Sequence, residues 1–459
     1  MYTASTGKLL PALGISLMLG ACTGLSGPDT QTPAVPQDNP SLQNPRISPA
    51  AQRQPVRAGW WQQFGDATLT GLVDQALKAH PDISSARASL QAARAQGVIA
   101  DAGLLPSLSG SGSARRSSGS NSFSAGMDAS WELDFFGANR LASRSAALDV
   151  GSAEAGLEDA KASLAAEVAR NYVNLRLSQA RLANAHQNLE SRQQSRQLVD
   201  MRYQAGLVSQ LDVEQARLSV NQIQAQIPAL DAGITQSRQA LATLTVQPVA
   251  SLAPRLQQSR GIPAPRRTLA EQVPADALRQ RPDLRAAGYR LQSAALRVQE
   301  AKANQYPSFR LGGALNLSSA KLSDLVDTGN LARSLLASIS APLFDGGQLK
   351  QQVLIRDASY QQALAGYQKA LLQAVQDVAD SFASLESLRR QRPLLVENLK
   401  LARSTERLIQ LNYQAGRDNY QSVLDAQRSV TSAQESLLAA QADESLAMIS
   451  LYRAVGGAW

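Results

Sequence analysis

The sequence predicts a mixed α+β membrane protein. Long coiled-coil-like helices form a helical barrel. They continue a transmembrane β-barrel to which each chain gives four strands, twelve in a trimer. Three observations predict this. The chain contains itself twice, at offsets of 201 to 210 residues. Each copy carries strand-length segments with apolar residues at every second position. Each copy also sustains heptad patterns over helical tracts of about 65 residues.

Composition narrows the class. The 459 residues are 44% hydrophobic, enough for a core, but only 5% aromatic. Ala, Gln, Ser, Leu and Arg dominate, which favours long helices. One Cys excludes a disulfide framework and a Cys-based structural metal site. His80 and His186 read as structural or solvated, so no metal site is expected. The net charge of +8 is interspersed, and no basic block with interleaved aromatics suggests nucleic-acid binding. No GxGxxG, GxSxG, HExxH or P-loop stands in a suitable context, so neither an enzyme nor a cofactor is expected.

Lys8 precedes an apolar run over residues 9–19, too short to cross a bilayer and stay there. Gly20-Ala21-Cys22 resembles a bacterial lipoprotein cleavage box. That resemblance makes residues 1–21 a signal peptide and Cys22 the lipid (palmitate) attachment site. Thr23 in place of Asp then implies outer-membrane sorting. The alternative is a secreted protein with an incidental Cys. No later segment has 18 apolar residues, so a transmembrane helix is not expected. Residues 22–58, rich in Pro, Gln, Ser and Asn, form a polar tether, and order resumes near Gly59-Trp60-Trp61.

The two copies occupy residues 59–246 and 276–459, joined by a Pro-rich connector over residues 247–275. Aligning Pro81 with Pro282 superposes Asp82/Asp283, Leu90/Leu291, Gln91/Gln292, Pro106/Pro307 and Ser107/Ser308 without a gap. Tyr203-Gln204-Ala205-Gly206 recurs as Tyr413-Gln414-Ala415-Gly416. In each copy Pro-Asp opens a helix, since Pro lacks only a donor the first turn does not use and Asp favours that turn. Pro106 and Pro307 stop these helices.

Strict alternation follows. Phe123, Ala125, Met127, Ala129, Trp131, Leu133 and Phe135 stand at every second position. The preceding segment, 107–114, is weaker, with 115–122 as the expected turn. Copy two shows Phe309, Leu311, Gly313, Leu315 and Leu317, a long loop, then Leu335, Ala337, Ile339, Ala341 and Leu343. Each copy thus predicts one hairpin, over about 107–135 and 308–343.

Heptads come last. Val168, Leu175, Leu182 and Leu189 mark the outgoing helix of copy one; Val213, Val220, Ile227, Ile234 and Leu241 mark its return. Leu364, Leu371, Val378 and Leu385, then Val423, Val430, Leu437 and Leu451, repeat the plan in copy two. Tracts over 139–203 and 348–413 would each run roughly 100 Å at the helical rise. Pro228 and Pro393 are expected to kink or interrupt them. Gly206 and Gly416 are expected to end the outgoing helices.

Four strands with one apolar face leave two bare edges, which hydrocarbon does not tolerate. Ten residues suit a tilted membrane strand. The alternation puts Trp131 and Phe135 towards lipid and Asp128, Glu132 and Asp134 in a polar lumen. One chain has too few strands for a lumen, so three copies are expected.

These residues resemble the TolC-like outer membrane factors, in their OprM-like, NodT-type lipoprotein branch. The pieces that carry the resemblance are Trp60-Trp61 with Phe64-Gly65-Asp66, Trp131-Glu132-Leu133-Asp134, Arg202-Tyr203-Gln204-Ala205-Gly206, Arg281-Pro282-Asp283, Pro342-Leu343-Phe344-Asp345-Gly346-Gly347, Leu424-Asp425-Ala426-Gln427-Arg428 and the final Gly457-Ala458-Trp459. The resemblance implies a homotrimeric exit duct of a tripartite efflux pump in outer-membrane lipid. A periplasmic adaptor and an inner-membrane transporter would be its partners, and drugs or other small molecules its cargo. A type I secretion duct and a periplasmic coiled-coil lipoprotein scaffold are the alternatives.

By motif match, a ring of Asp425 would narrow the periplasmic end, three carboxylates repelling one another and attracting cations. Arg428, Asp212 and Tyr413 are candidates for the latch of that gate. The bland reading of Asp425 and Arg428 is an ordinary surface pair one turn apart. Gln421 stands one turn before Asp425, where relatives often place an apolar constriction. The turns Gly206-Leu207-Val208-Ser209 and Gly416-Arg417-Asp418-Asn419 are candidate adaptor contacts.

Overall fold

The structure, a computed structural model, describes residues 47–48, 59–257, 261–264, 273–274 and 278–456. The expected signal peptide, Cys22 and the final Trp459 lie outside the described residues. Two compact units divide these residues, one built from Gln96–Leu148 and Leu291–Ala363, the other from Pro33–Ala95, Asp149–Arg290 and Leu364–Trp459.

The first unit centres on an antiparallel sheet. Its strands are β1 (Ser107–Ser117), β2 (Ser120–Leu133), β3 (Ser308–Ser319) and β4 (Leu331–Ser340), in the order β1-β2-β3-β4. The two hairpins therefore join through β2 and β3. The register groups most side chains by face, with Arg333 in the Met127–Leu315 row of the apolar face and Leu336 in the Ser130–Gly312 row of the other. Leu108 faces Ala129, Ala129 faces Gly313 and Gly313 faces Leu335; Trp131 faces Leu311 and Leu311 faces Ala337; Leu133 faces Phe309 and Phe309 faces Ile339. Directly paired residues share a face, so these rows make one apolar face. Ser109, Asp128, Ala314 and Ser334 form one row of the opposite face, and Glu132, Arg310 and Ser338 another. The Arg310 guanidinium reaches the Glu132 carboxylate there at 3.4 Å. Phe135 apart, which meets Phe309, the apolar face is largely open among the described residues: Leu108 is 67% exposed and Leu335 is 80% exposed. Among the described residues no further strand pairs with the outer edges of β1 and β4.

The strand limits correct the sequence reading in three places. The expected turn over 115–122 shrinks to Ser118-Gly119, whose φ angles of +44° and +86° suit a tight two-residue hairpin turn. Phe135 and Leu343, expected on the strands, lie beyond the ends of β2 and β4. Phe135 instead packs edge-on against Phe309, with ring centroids 4.8 Å apart. Asp134, expected in the lumen, turns to the next helix: its carboxylate accepts the Asn139 amide at 3.2 Å and the Arg140 amide at 2.9 Å. That carboxylate satisfies first-turn donors that the helix itself cannot.

The helices are α1 (Ala67–Ala79), α2 (Pro81–Ala102), α3 (Ala138–Gln204), α4 (Gln210–Thr245), α5 (Val249–Gln257), α6 (Pro282–Ala303), α7 (Gln348–Gln414) and α8 (Tyr420–Ala454). α3 and α7 have 67 residues each, close to the tracts read from the heptads. The expected interruptions are absent, since α4 runs through Pro228 and α7 through Pro393. A proline removes one amide donor and crowds the preceding turn. Both prolines lie in largely exposed stretches of their helices. His80 precedes α2, and its Nδ1 accepts the Asp82 amide at 3.2 Å.

The second unit holds the larger core. Val213, Ala216, Val220, Ile223, Leu241 and Leu244 of α4 are buried, as are Val423, Ala426, Val430, Ala440, Ala447 and Leu451 of α8. Both sets follow the heptad seam. Trp60 stacks on Tyr452 with centroids 5.2 Å apart. The buried Arg281 guanidinium donates to Asp283 at 2.8 Å, to Asp377 at 3.0 Å and to the Ala454 carbonyl at 2.8 Å. Burial alone would raise the Asp283 carboxyl, but the Arg281 guanidinium holds it below the usual carboxylate range. The Arg-Pro-Asp signature thereby ties the start of α6 to α7 and to the end of α8. Ile47–Ser48 pairs in parallel with Val273–Pro274, tying the tether to the connector.

Candidate functional site at the helical hairpin turns

Both long hairpins turn in the same way. The Leu207 amide donates to the Arg202 carbonyl at 2.9 Å, and the Gly206 amide to the Tyr203 carbonyl at 2.9 Å. In copy two the Arg417 amide donates to Asn412 at 2.9 Å and the Gly416 amide to Tyr413 at 3.0 Å. Gly206 and Gly416 both have φ of +72°. This bond pair around a left-handed residue is a Schellman ending, and glycine takes the position because it lacks Cβ.

The returning helices are capped differently. The Ser209 amide donates to the Asp212 carboxylate at 2.9 Å and its hydroxyl accepts the Asp212 amide at 3.4 Å, a capping box on α4. In copy two Asn419 Oδ1 accepts the Ser422 amide at 3.0 Å. Asp212, a latch candidate from sequence, thus engages its own helix start. Of the tip residues, Gly206, Leu207, Ser209, Gly416, Arg417 and Asn419 are exposed, while Val208 and Asp418 are half-buried.

Above the turns, the four helix ends share a small core. Val199 of α3, Val213 and Ala216 of α4, Tyr413 of α7, and Tyr420, Val423 and Leu424 of α8 are all buried in it. Tyr413 and Tyr420 meet with ring centroids 5.7 Å apart. Arg202 crosses between hairpins: its guanidinium lies 4.4 Å from the Tyr413 ring centre and donates to the Gln414 carbonyl at 2.7 Å. The buried Tyr413 hydroxyl finds no hydrogen-bonding partner among the described residues. Burial pushes that hydroxyl above its ordinary pKa against the opposing pull of Arg202. Burial, with Tyr413 beside it, pushes Tyr420 up to about 12. Deeper in the bundle, Gln427 donates to the Ser195 hydroxyl at 2.8 Å, and buried Arg192 donates to the Ser219 hydroxyl.

Asp425 lies on the open face of α8. Arg428 donates to its carboxylate at 3.1 Å, and the Gln421 amide reaches both carboxylate oxygens, at 3.1 and 3.2 Å. The Asp425 and Arg428 side chains are 58% and 56% exposed. Within one chain this is the solvated pair of the bland reading, with Gln421 added as a second donor. Gln421, Asp425 and Arg428 share one stripe of α8, while Tyr413 sits in the buried core next to the turns. Copy one does not repeat the stripe, because the positions 210 residues earlier than Asp425 and Arg428 hold Gln215 and Leu218.

Sequence reasoning missed Arg202, Tyr420, Ser195 and Gln427. Gln427 had left a signal. It stands between Val423 and Val430 on the apolar seam, where a polar side chain needs a bonded partner. Among the described residues no group of three or more His, Cys, Asp or Glu could hold a metal ion. No described helix is long and apolar enough to cross a membrane, a finding silent on β-strands.

Gly416→Ala should destabilise its turn by about 1–2 kcal/mol, the cost of a left-handed backbone for a residue with Cβ. Amide hydrogen exchange should rise at residues 416–420. Unchanged protection would mean that the turn does not need its glycine.

A sheet with one bare apolar face, joined to duplicated heptad hairpins that end in matched glycine turns, defines an outer-membrane channel class. The chain belongs to the outer membrane efflux protein family, whose model matches residues 72–246 and 273–457. It is 30% identical to outer membrane protein OprJ of Pseudomonas aeruginosa over 98% of this chain and 95% of that one. It is likewise 30% identical to the cation efflux system protein CusC of Escherichia coli O157:H7, over 98% of this chain and 99% of that one. The solved outer-membrane channel OprN matches it with a TM-score of 0.85 at 30% identity, covering 95% of this chain and 99% of OprN. The chain is thus an outer-membrane protein of efflux transport.

Proposed function

We propose that this chain is the trimeric exit duct of a tripartite efflux pump. Three copies of the four-stranded sheet close into a twelve-stranded barrel in the outer membrane, and the helices continue it as a tunnel through the periplasm. The observation that carries this reading is the sheet itself, with a bare apolar face, a Ser-rich opposite face and two unpaired edges. In water such a sheet would aggregate along its edges. In lipid the same surface is stable once the edges close.

The duct performs no bond chemistry and conducts when its periplasmic end opens. Gly206, Leu207, Val208 and Ser209, with Gly416, Arg417, Asp418 and Asn419, meet the adaptor, which brings in the inner-membrane transporter. Gln421, Asp425 and Arg428 line the gate, with Asp212 and Tyr413 behind them. Drugs and other small molecules are the cargo, in keeping with relatives named for cation efflux and for pyoverdine export.

The test is migration of the outer-membrane protein in cold and boiled SDS. A slow band that collapses to the single chain on boiling supports the duct. A single-chain band in both states, from protein released by washing, contradicts it. The lipid proposal has its own test. Radiolabelled palmitate should enter the wild-type chain and not Cys22→Ser, and equal labelling would remove Cys22 as the anchor.

A further inference from the structure

Two apolar features remain unused at one end of the sheet. β4 stops at Ser340, and Leu343 and Phe344 follow it at 95% and 94% exposure. At that same end Leu105 precedes β1, 66% exposed. Beside it opens a recess of about 520 Å³, lined by Leu104, Gly137, Arg140, Leu141 and Arg144. β4 and β1 are the opposite outer edges of the sheet, so within one chain two strands separate the exposed pair from β1.

Edge closure changes this. When β4 of one copy pairs with β1 of the next, the two strands run antiparallel. The end of β4 then stands beside the start of the neighbour's β1. Leu343 and Phe344 arrive against Leu105 and the recess. The seam needs such a contact. On its apolar face β1 offers Leu108, Gly110, Gly112 and Ala114, and on the other face Ser107, Ser109, Ser111 and Ser113. A strand so poor in bulky side chains specifies its pairing register weakly, and a slip by one residue would turn every side chain to the wrong face. The backbone here is also fixed. The Asp345 carboxylate accepts the Gly347 and Leu349 amides at 2.8 Å each, which holds the segment carrying Phe344 against the start of α7.

We infer that Leu343 and Phe344 of one copy dock into the Leu104–Leu105 recess of a second copy, as a clasp that fixes the register of the intersubunit β-seam. This rests on the three-copy barrel proposed above.

The test places p-benzoylphenylalanine at position 344 of the full-length chain in outer membranes and irradiates it. The expected product is a covalent two-chain or three-chain species whose linked peptide falls within residues 104–108 or 137–144. Phe344→Ser should lose the SDS-resistant oligomer, and Phe344→Leu should keep most of it. The clasp is overturned if wild-type protein is a three-chain species in mild detergent but position 344 links elsewhere, or if Phe344→Ser keeps the SDS-resistant oligomer. Wild-type protein that is monomeric in mild detergent would overturn the barrel reading and the clasp with it.

Discussion

Replacing Asp425 and Arg428 together by Ala should raise single-channel conductance several-fold in planar bilayers. In one chain Asp425 is held by Arg428 at 3.1 Å and by Gln421 at 3.1 and 3.2 Å. A half-exposed pair of this kind contributes only a few tenths of a kcal/mol to its own helix, so the double variant should fold normally. The effect on conduction follows from symmetry instead. In the proposed trimer three carboxylates, each paired with a guanidinium, would surround one narrow axis and fill it. Removing both shortens the side chains on that axis and widens the bore. The equivalent change in copy one, Gln215→Ala with Leu218→Ala, should leave conductance as it was. Equal conductance of the Asp425/Arg428 variant and the wild type would remove these residues from the gate.

The second large effect concerns the faces of the sheet. Ala129 and Ala314 are both strand alanines, but the register puts Ala129 in the row of Leu108 and Gly313, and Ala314 in the row of Asp128 and Ser334. Ala129→Arg should cost about 2–4 kcal/mol per copy if that row lies near the bilayer midplane, in each of three copies. Heat-modifiable protein in the outer membrane should nearly vanish. Ala314→Arg places the same charge towards water, beside Asp128, and should assemble at close to wild-type yield. Equal yields for the two variants would mean that the sheet has no lipid face.

Most of the fold was legible because it is periodic. Heptads located α3 and α7 to within a residue or two, and alternation located β2 from Phe123 onward. Where the periodicity failed, so did the limits. Arg115 and Arg116 interrupt the apolar pattern, so β1 and β2 reach further towards their turn than the alternation reveals. Phe135 continues the alternation by coincidence after Asp134 has turned to cap α3. Pro228 and Pro393 do not interrupt α4 and α7, although most residues around them are exposed.

The candidate site was legible in part. The glycine turns announce themselves twice, as Tyr-Gln-Ala-Gly. Asp425 and Arg428 required resemblance, since an acidic and a basic residue one turn apart look like any solvated pair. The Arg202–Tyr413 contact joins two different hairpins, and no spacing within either hairpin encodes it. Copy one holds Tyr203 exposed where copy two buries Tyr413. The duplication thus conserved the turn geometry while the chemistry around it diverged.

The central claim is that sheets from three chains close a single cylinder. Native mass spectrometry of protein extracted from outer membranes in mild detergent tests it most directly. The account predicts a complex of three chains, each close to the 48.9 kDa of the sequence, that persists on dilution. A single chain, stable and monodisperse in the same detergent, would contradict it.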